Sequence, residues 1–292
     1  MANKNKILSW MMIGLVKLLF KYPLIWLVLG VLGGGFYAYE VKIARPAQIY
    51  KGVPESQGLN AWYRVFRNAD FMLGYSDLRG NPLWVAYALS AVDKGAKRYK
   101  RPSTFKVDWR SLNQVTHKDY TRSGYDRGHM APNYAISSLY GRAAQLDSFL
   151  MSNISPQSPK LNRKLWQRLE EVGVKHFTQL PGKLWVLTGP VFDEHTQRLS
   201  SAWRVEIPDA FYKIYIREIA NKPPQTLAFL MPQKVRGNES LNRYVVSIDK
   251  IESLTGLNFL SELDDDIEAQ VEASSASVGW NLQQVANLRG RY

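Results

Sequence analysis

The chain has 292 residues, 46% hydrophobic and 22% charged, an ordinary globular composition that excludes a disordered or fibrous protein. Cysteine is absent, which excludes a disulfide scaffold, a zinc finger, an iron–sulfur cluster and a thiol nucleophile. The 38 basic residues outnumber the 25 acidic ones to give +13, a charge that suits a polyanion such as nucleic acid or anionic lipid, although solubility alone also favours net charge.

Residues 22–39 run eighteen positions without a charge. A bilayer-spanning helix needs about 17 to 25 such residues, so this segment is just long enough. An uncleaved anchor fits better than a cleavable signal peptide. Gly33–Gly35 is followed by Phe36, Tyr37, Ala38 and Tyr39, a poor small-x-small cleavage site. A second apolar stretch, Ile7–Val16, is ten residues long and too short to span. Lys4, Lys6, Lys17 and Lys21 before the span, against Lys42, Arg45 and Lys51 after it, bias the N-terminus slightly to the inside. Residues 1–45 carry +5, leaving +8 on the remainder.

The expected organisation is a membrane anchor over 1–45, a linker over 46–68, a globular domain over 69–275 and a C-terminal tail over 276–292. Phe71–Tyr75 and Leu83–Leu89 read as a hairpin around the turn chemistry of Asp77–Pro82. Residues 94–124 are polar and basic and read as a long loop. Leu184–Thr188 reads as a short strand stopped by Gly189 and Pro190. Phe211–Ile219 and Thr226–Met231 read as further strands. Leu161, Leu165, Leu169 and Val172 recur at helical spacing. Ser247 starts a second helix that Gly256 stops. The tail from Glu262 to Glu272 holds six acidic residues and reads as a solvated helical face. Strands and helices without βαβ alternation indicate an α+β fold.

Four histidines are present, and His129 sits in the run Asp126-Arg127-Gly128-His129. An imidazole accepts a proton from water near neutral pH, and an arginine holds phosphate through parallel hydrogen bonds. A lone histidine is more often structural, so the next segment matters. Asn162 and Glu170 lie eight residues apart on the leucine-striped helix. At about 100° per residue they differ by roughly 80°, two turns along, and can border one cleft. An amide oxygen is a hard ligand suited to magnesium, and a carboxylate two turns away can hold one of the waters magnesium retains. Asp193-Glu194-His195 looks ligand-like but is expected in a turn. His117 and His176 read as ordinary polar or core histidines. Lys94, Lys97, Arg98, Lys100 and Arg101 form a basic segment that suits a phosphate backbone or a solvated loop equally.

Asp126-Arg127-Gly128-His129 resembles the DRGH motif of the DNA/RNA non-specific endonucleases, the ββα-metal nucleases. The resemblance continues through Asn153-Ile154-Ser155-Pro156-Gln157, Leu161-Asn162, Trp166, Leu169-Glu170, Thr188-Gly189-Pro190, Ile207–Lys213 and Ala228-Phe229-Leu230, over about residues 60–262. It implies a central antiparallel sheet flanked by helices, here preceded by a transmembrane helix. It implies His129 as the general base, Asn162 as the one direct protein ligand of Mg2+ (with Mn2+ as a substitute), and Glu170 as the acid holding water on the metal. Arg127 and Asn153 are implied as supports of the site and the phosphate. Arg101, before the aromatic-x-x-Asp element Phe105–Asp108, is the candidate for a further nucleic-acid-binding arginine. The implied partners are DNA and RNA, the membrane through the N-terminal helix, and a second copy of the chain, because family members are often dimers. The implied products carry 5′-phosphate ends. Sparing the host genome implies a domain on the non-cytoplasmic side. A catalytically idle, membrane-tethered DNA-binding protein would share the charge and the anchor. The intact His129, Asn162 and Glu170 set is what binding alone does not require. A phosphodiesterase for another polyanion would depend on metal yet spare DNA and RNA.

Overall fold

The computed structural model describes Lys17, residues 21–193 and residues 195–290. The stretch Ile7–Val16 and Glu194 fall outside the described residues. The chain divides into two compact units, the first ending at Ala47 and the second beginning at Gln48.

In the first unit, helix α1 spans Pro23–Tyr39, with Pro23 in its first turn where the missing N–H costs nothing. A wider π-helical turn, Glu40–Ala44, continues it. Among the described residues this Pro23–Ala44 helix is the one long and apolar enough, by length and composition, to cross a membrane. Its 22 residues rise about 33 Å, against roughly 30 Å of bilayer hydrocarbon.

In the second unit the strands in chain order are β1 (Glu55–Ser56), β2 (Arg64–Arg67), β3 (Met72–Ser76), β4 (Asn81–Leu89), β5 (Asp126–His129), β6 (Ile154–Gln157), β7 (Lys183–Val191), β8 (Arg198–Leu199), β9 (Ala202–Glu206), β10 (Ala210–Glu218), β11 (Gln225–Pro232), β12 (Val245–Val246) and β13 (Leu257–Asn258). The helices that follow α1 are α2 (Asn133–Ser148), α3 (Gln167–Lys175), α4 (Ile248–Thr255), α5 (Asp265–Glu272) and α6 (Leu282–Val285). Seven strands form one antiparallel sheet in the order β12-β11-β10-β7-β4-β3-β2. The fold is α+β, as the mixed pattern of elements implied.

Both faces of this sheet are covered, which is why its central strands read as nearly continuous apolar runs. On β4, Val85, Tyr87 and Leu89 join one core with Leu161, Leu165 and Leu169, while Trp84 and Ala86 join the other with Ile248, Ile251 and Phe259. The helical leucine stripe therefore buries as its spacing required.

Three expectations shift. The segment read as a linker already supplies β1 and the sheet-edge strand β2. Strand β7 does not stop at Gly189 but runs through Pro190 to Val191. Its pairing with β4 ends at Thr188, so Pro190 is paired on one side only, with Phe211, and its missing donor leaves no gap on the β4 side. Gly189 is needed there because a Cβ would lie 2.2 Å from the Leu83 carbonyl oxygen. The C-terminal tail is part of the core: Trp280 is 1% exposed and packs with Leu282, Val285 and Ala286. The helix from Ser247 forms as read, with the Ser247 side chain accepting from the Lys250 N–H and Gly256 in the left-handed conformation.

Candidate active site

The DRGH run is strand β5, paired antiparallel with β6 so that Asp126 faces Gln157 and His129 faces Ile154. Gly128 permits the close approach of this ladder. A Cβ there would lie 2.1 Å from Gln157 Oε1, and the Gln157 side chain is wholly buried.

The His129 ring sits in an aromatic cage. Its centroid is 5.2 Å from Phe105 and 4.8 Å, edge-on, from Phe149. Phe105 and Phe149 stack on each other at 4.8 Å, and the Arg101 guanidinium lies 5.3 Å over Phe149. Burial, with the Arg101 charge added to it, pushes the imidazole down to about 3, so it is neutral at physiological pH. Nε2 is buried and makes no hydrogen bond among the described residues.

Asn153 holds the chain that follows His129. Its side-chain amide donates to the carbonyl oxygens of Ala131 (3.0 Å) and Ser148 (2.9 Å), and its Oδ1 accepts from the Ala131 N–H at 2.8 Å. Its backbone carbonyl accepts from the Met130 N–H at 3.0 Å. The side chain is fully buried, so its contacts are to backbone and not to a cleft.

Arg127 donates through Nε (3.2 Å) and Nη2 (2.6 Å) to the His117 carbonyl oxygen. His117 in turn stacks on Phe105 at 5.7 Å, and its Nδ1 accepts from the Phe105 N–H at 3.3 Å. Arg127 therefore buttresses the aromatic cage from behind. Arg101 ends the exposed basic loop, beside the cage and not within the ladder. In the element after it, Asp108 is buried and bonded to Arg110 and to Ser152 Oγ, and these hydrogen bonds hold its carboxyl below the usual range despite burial.

Asn162 lies in a π-helical stretch, Leu161–Trp166, that leads into α3. Its Nδ2 donates to Asp126 Oδ2 at 3.0 Å. Only the nitrogen can donate to a carboxylate, so this contact fixes the amide and leaves Oδ1 as an open acceptor. Arg163 grips the same carboxylate with Nε at 2.7 Å and Nη2 at 2.6 Å. These partners hold the Asp126 carboxyl below its ordinary range. The π stretch also changes the helix geometry. One extra residue in a turn takes back about 100° of the 800° swept in eight residues, leaving Asn162 and Glu170 roughly 20° apart instead of 80°.

Glu170 accepts from Lys213 Nζ at 3.1 Å, with the lysine side chain 0% exposed and the glutamate 20%. Lys213 lies on β10, flanked by Thr188 and Phe229, and its ammonium is 4.4 Å over the Trp166 ring. Burial raises the Glu170 carboxyl, and the lysine draws it back toward ionisation.

The sequence profile of the DNA/RNA non-specific endonucleases matches residues 43–266. The chain belongs to this family. Its relatives include human mitochondrial endonuclease G, 28% identical over 218 residues that make up 70% of this chain and 72% of that protein. A nuclease of Nostoc sp. is 28% identical over 225 residues, 72% of this chain and 78% of its own. Mitochondrial nuclease EXOG of Xenopus laevis is 30% identical over 208 residues, 66% and 57% respectively. The fold matches the crystal structure of an EndoG/EndoGI complex with a TM-score of 0.64 and 25% identity, over 75% of this chain and 92% of that one. The protein is a nuclease by membership of this family.

Within the candidate site, sequence reasoning missed two contacts. Asp126 was read only as part of the motif, yet it orients Asn162. Lys213 enters the resemblance without a role, although one charge among Phe211, Tyr212, Ile214, Tyr215 and Ile216 is a visible signal. Asp193 and His195 lie at an exposed turn, where Asp193 Oδ1 accepts from the His195 N–H at 2.7 Å.

Proposed function

We propose that this nuclease is a membrane-anchored, magnesium-dependent endonuclease that hydrolyses phosphodiester bonds in both DNA and RNA. The observation that carries the reading is the link through Asp126. One strand presents a neutral His129, and three residues earlier holds Asn162 by its amide nitrogen.

The donor set fits the metal. Asn162 Oδ1 is a hard oxygen left open by the Asp126 contact, and Glu170 is an acid that Lys213 draws toward its charged form against the effect of burial. Asn162 would hold the ion directly, and Glu170 would hold its water shell. When bound, Mg2+ supplies positive charge that stabilises the phosphate and the departing 3′ oxygen.

The chain's own residues do the rest. His129 takes a proton from water as the oxygen adds to phosphorus, the P–O3′ bond breaks, and the departing 3′ oxygen takes a proton from solvent. The products are a 5′-phosphate and a 3′-hydroxyl, with the proton on His129 passing to solvent. Asn153 positions His129 by holding the backbone of Met130 and Ala131. Arg101 places positive charge beside the base and attracts the phosphate. Arg127 positions the cage through His117 and Phe105. The basic loop ending at Arg101 favours polyanions without regard to sequence. The anchor comprises residues 1–45, and the domain faces the non-cytoplasmic side, away from the host genome. Protease accessibility in intact cells or spheroplasts checks this placement, and a protected, cytoplasmic domain would refute it.

The test is digestion of plasmid and of RNA by the full chain in detergent, with Mg2+ or with EDTA, beside His129→Ala. Loss of a general base costs about 10² to 10⁴-fold. Metal-dependent cleavage of both substrates that collapses in the variant supports the proposal. DNA retention without cleavage by either protein would identify a tether with an idle site, and cleavage unchanged by the substitution would remove His129 as the base.

A further inference from the structure

Two basic segments meet beside Asn162. Residues 158–168 and 232–243 carry seven basic residues and one acid between them. Hydrogen bonds lock the segments together. The Ser158 N–H donates to Gln233 Oε1 at 2.8 Å, and Gln233 Nε2 donates to the Pro156 carbonyl oxygen at 2.7 Å. Gly237, with φ of 98°, lies under the stem of Lys164. A Cβ there would stand 2.8 Å from Lys164 Cδ and 3.2 Å from the Lys160 carbonyl oxygen. The lysine stem is thus laid along a fixed loop while the residue stays exposed.

The one acid does not neutralise this surface. Glu239 is turned onto the backbone, where its two oxygens accept from the Arg236 N–H at 2.6 Å and the Gly237 N–H at 2.7 Å. Lys160, Lys164, Lys234 and Arg236 are exposed and join no ion pair among the described residues. Like charges held together on locked segments repel one another, and a polyanion relieves that repulsion.

The place of the surface selects the polyanion. Strand β5 runs from Asp126, which Asn162 and Arg163 contact, to His129, beside which Arg101 lies over Phe149. That run is about 10 Å at about 3.4 Å per residue, or about three phosphate spacings of one strand. The Arg101 loop borders the His129 end and the locked segments border the Asp126 end. A backbone crossing the site therefore meets positive charge on both sides. A surface built for anionic lipid would set apolar or aromatic side chains among its cations. None of the exposed large apolar residues falls in these two segments among the described residues.

We propose that Lys160, Lys164, Lys234 and Arg236 form a second nucleic-acid surface, which holds the phosphate backbone on the Asn162 side of the cut. The proposal rests on the nucleic-acid reading of this site and extends it to a two-sided hold. Contacts to phosphate fix the register of a strand without reading its bases.

The experiment is binding of a short labelled DNA duplex to the full chain in neutral detergent with EDTA, between about 0.05 and 0.2 M salt. All binding proteins carry His129→Ala so that the DNA survives. The parent is compared with Lys160→Gln/Lys164→Gln/Lys234→Gln/Arg236→Gln. A control, Lys51→Gln/Lys183→Gln/Lys222→Gln/Lys250→Gln, removes the same charge from exposed lysines elsewhere. Each lost phosphate contact lowers the slope of log affinity against log salt by about 0.9, so the first variant should lose about 2 to 4 and the control less than about 1. The milder Lys160→Gln/Lys234→Gln should lose about half as much and guards against a misfolded quadruple variant. A slope unchanged in both patch variants, or lowered equally in the control, would overturn the proposal. The series is repeated in nanodiscs of phosphatidylcholine with and without phosphatidylglycerol. A difference between patch variant and control that vanishes only in the anionic discs would assign the surface to lipid and overturn it too. Cleavage by the protein with His129 intact is assayed separately with Mg2+. Cutting beside an unchanged slope removes this surface and leaves the nuclease reading, whereas a lowered slope without cutting removes that reading and supports the surface.

Discussion

Replacing Lys213 with methionine removes the cation under Glu170 and keeps most of the side-chain volume on β10. The Nζ–Oε1 distance is 3.1 Å and the lysine is fully enclosed. At an effective dielectric of about 20, two unit charges at that separation attract by about 5 kcal/mol. Removing one partner of a buried pair typically costs about 3–5 kcal/mol, because the other charge is stranded. The substitution should therefore lower the unfolding midpoint at pH 7 by roughly 6–20 °C, using about 2–4 °C per kcal/mol for a domain of this size. The pH dependence follows from the sign of the Glu170 shift. Without the lysine, the folded-state carboxyl rises further above its unfolded value. The protonated group costs nothing below that unfolded value, and the penalty grows as pH rises toward the folded one. The gap from wild type should thus nearly close by pH 4 and widen to pH 8. Glu170→Gln added to Lys213→Met removes the stranded charge and should restore most of the stability but not the activity. Paired thermal melts and Mg2+-titrated cleavage rates read both effects. A Lys213→Met protein with the wild-type midpoint and wild-type activity would refute the reasoning.

Three further substitutions or conditions separate the remaining contributions. Asp126→Asn keeps the shape but weakens the hold on Asn162 and should reduce apparent metal affinity by about 10- to 100-fold. Because the Arg163 end of its ion pair is 64% exposed, the midpoint should move by no more than about 1 kcal/mol allows, as thermal melts would show. Gly128→Ala drives a methyl into the buried Gln157 side chain and should cost about 1–3 kcal/mol by denaturant titration, with partial rescue in Gly128→Ala/Gln157→Ala. The acid limb of kcat/KM should fall well below pH 6.5, because His129 is held down to about 3. For stability the same shift means that neutral His129 favours the fold above pH 6.5, and the benefit is lost at about 1.4 kcal/mol per pH unit as pH falls toward 3. An acid limb at an ordinary imidazole value would show that the cage does not protect the base.

The candidate site was legible in the sequence because its residue types are rare and ordered: four histidines, one of them inside Asp-Arg-Gly-His, and an asparagine and glutamate on a striped helix. The strands β10 and β11 were legible because their runs are apolar. Strand β5 was not, because Asp126, Arg127, Gly128 and His129 carry no apolar alternation, and its pairing with β6 is a tertiary fact. Helix α2 was hidden by Gly141, which breaks it with φ of 87°. The π stretch at Asn162 has no compositional signal, yet by helix geometry it narrows the angle between Asn162 and Glu170. The Lys213–Glu170 pair joins positions 43 residues apart, beyond any periodicity. The acidic segment read as a solvated face was misjudged at one end, since Glu272 is buried where α5 packs under the sheet.

Trp280 has a consequence for how the enzyme comes into being. Its ring packs edge-on against Phe177 at 5.2 Å and lies 6.4 Å from Tyr215, and Ala286 accepts from the Leu241 N–H at 3.0 Å. The core behind α3 is therefore open on the ribosome until the last tenth of the described chain has been made. At about 5–20 residues per second, the apolar N-terminal helix emerges tens of seconds before Trp280 does. Under the proposed membrane anchoring, the chain reaches its membrane before the core behind α3 has closed. Truncation before Trp280 would leave the N-terminal helix intact and the core behind α3 open.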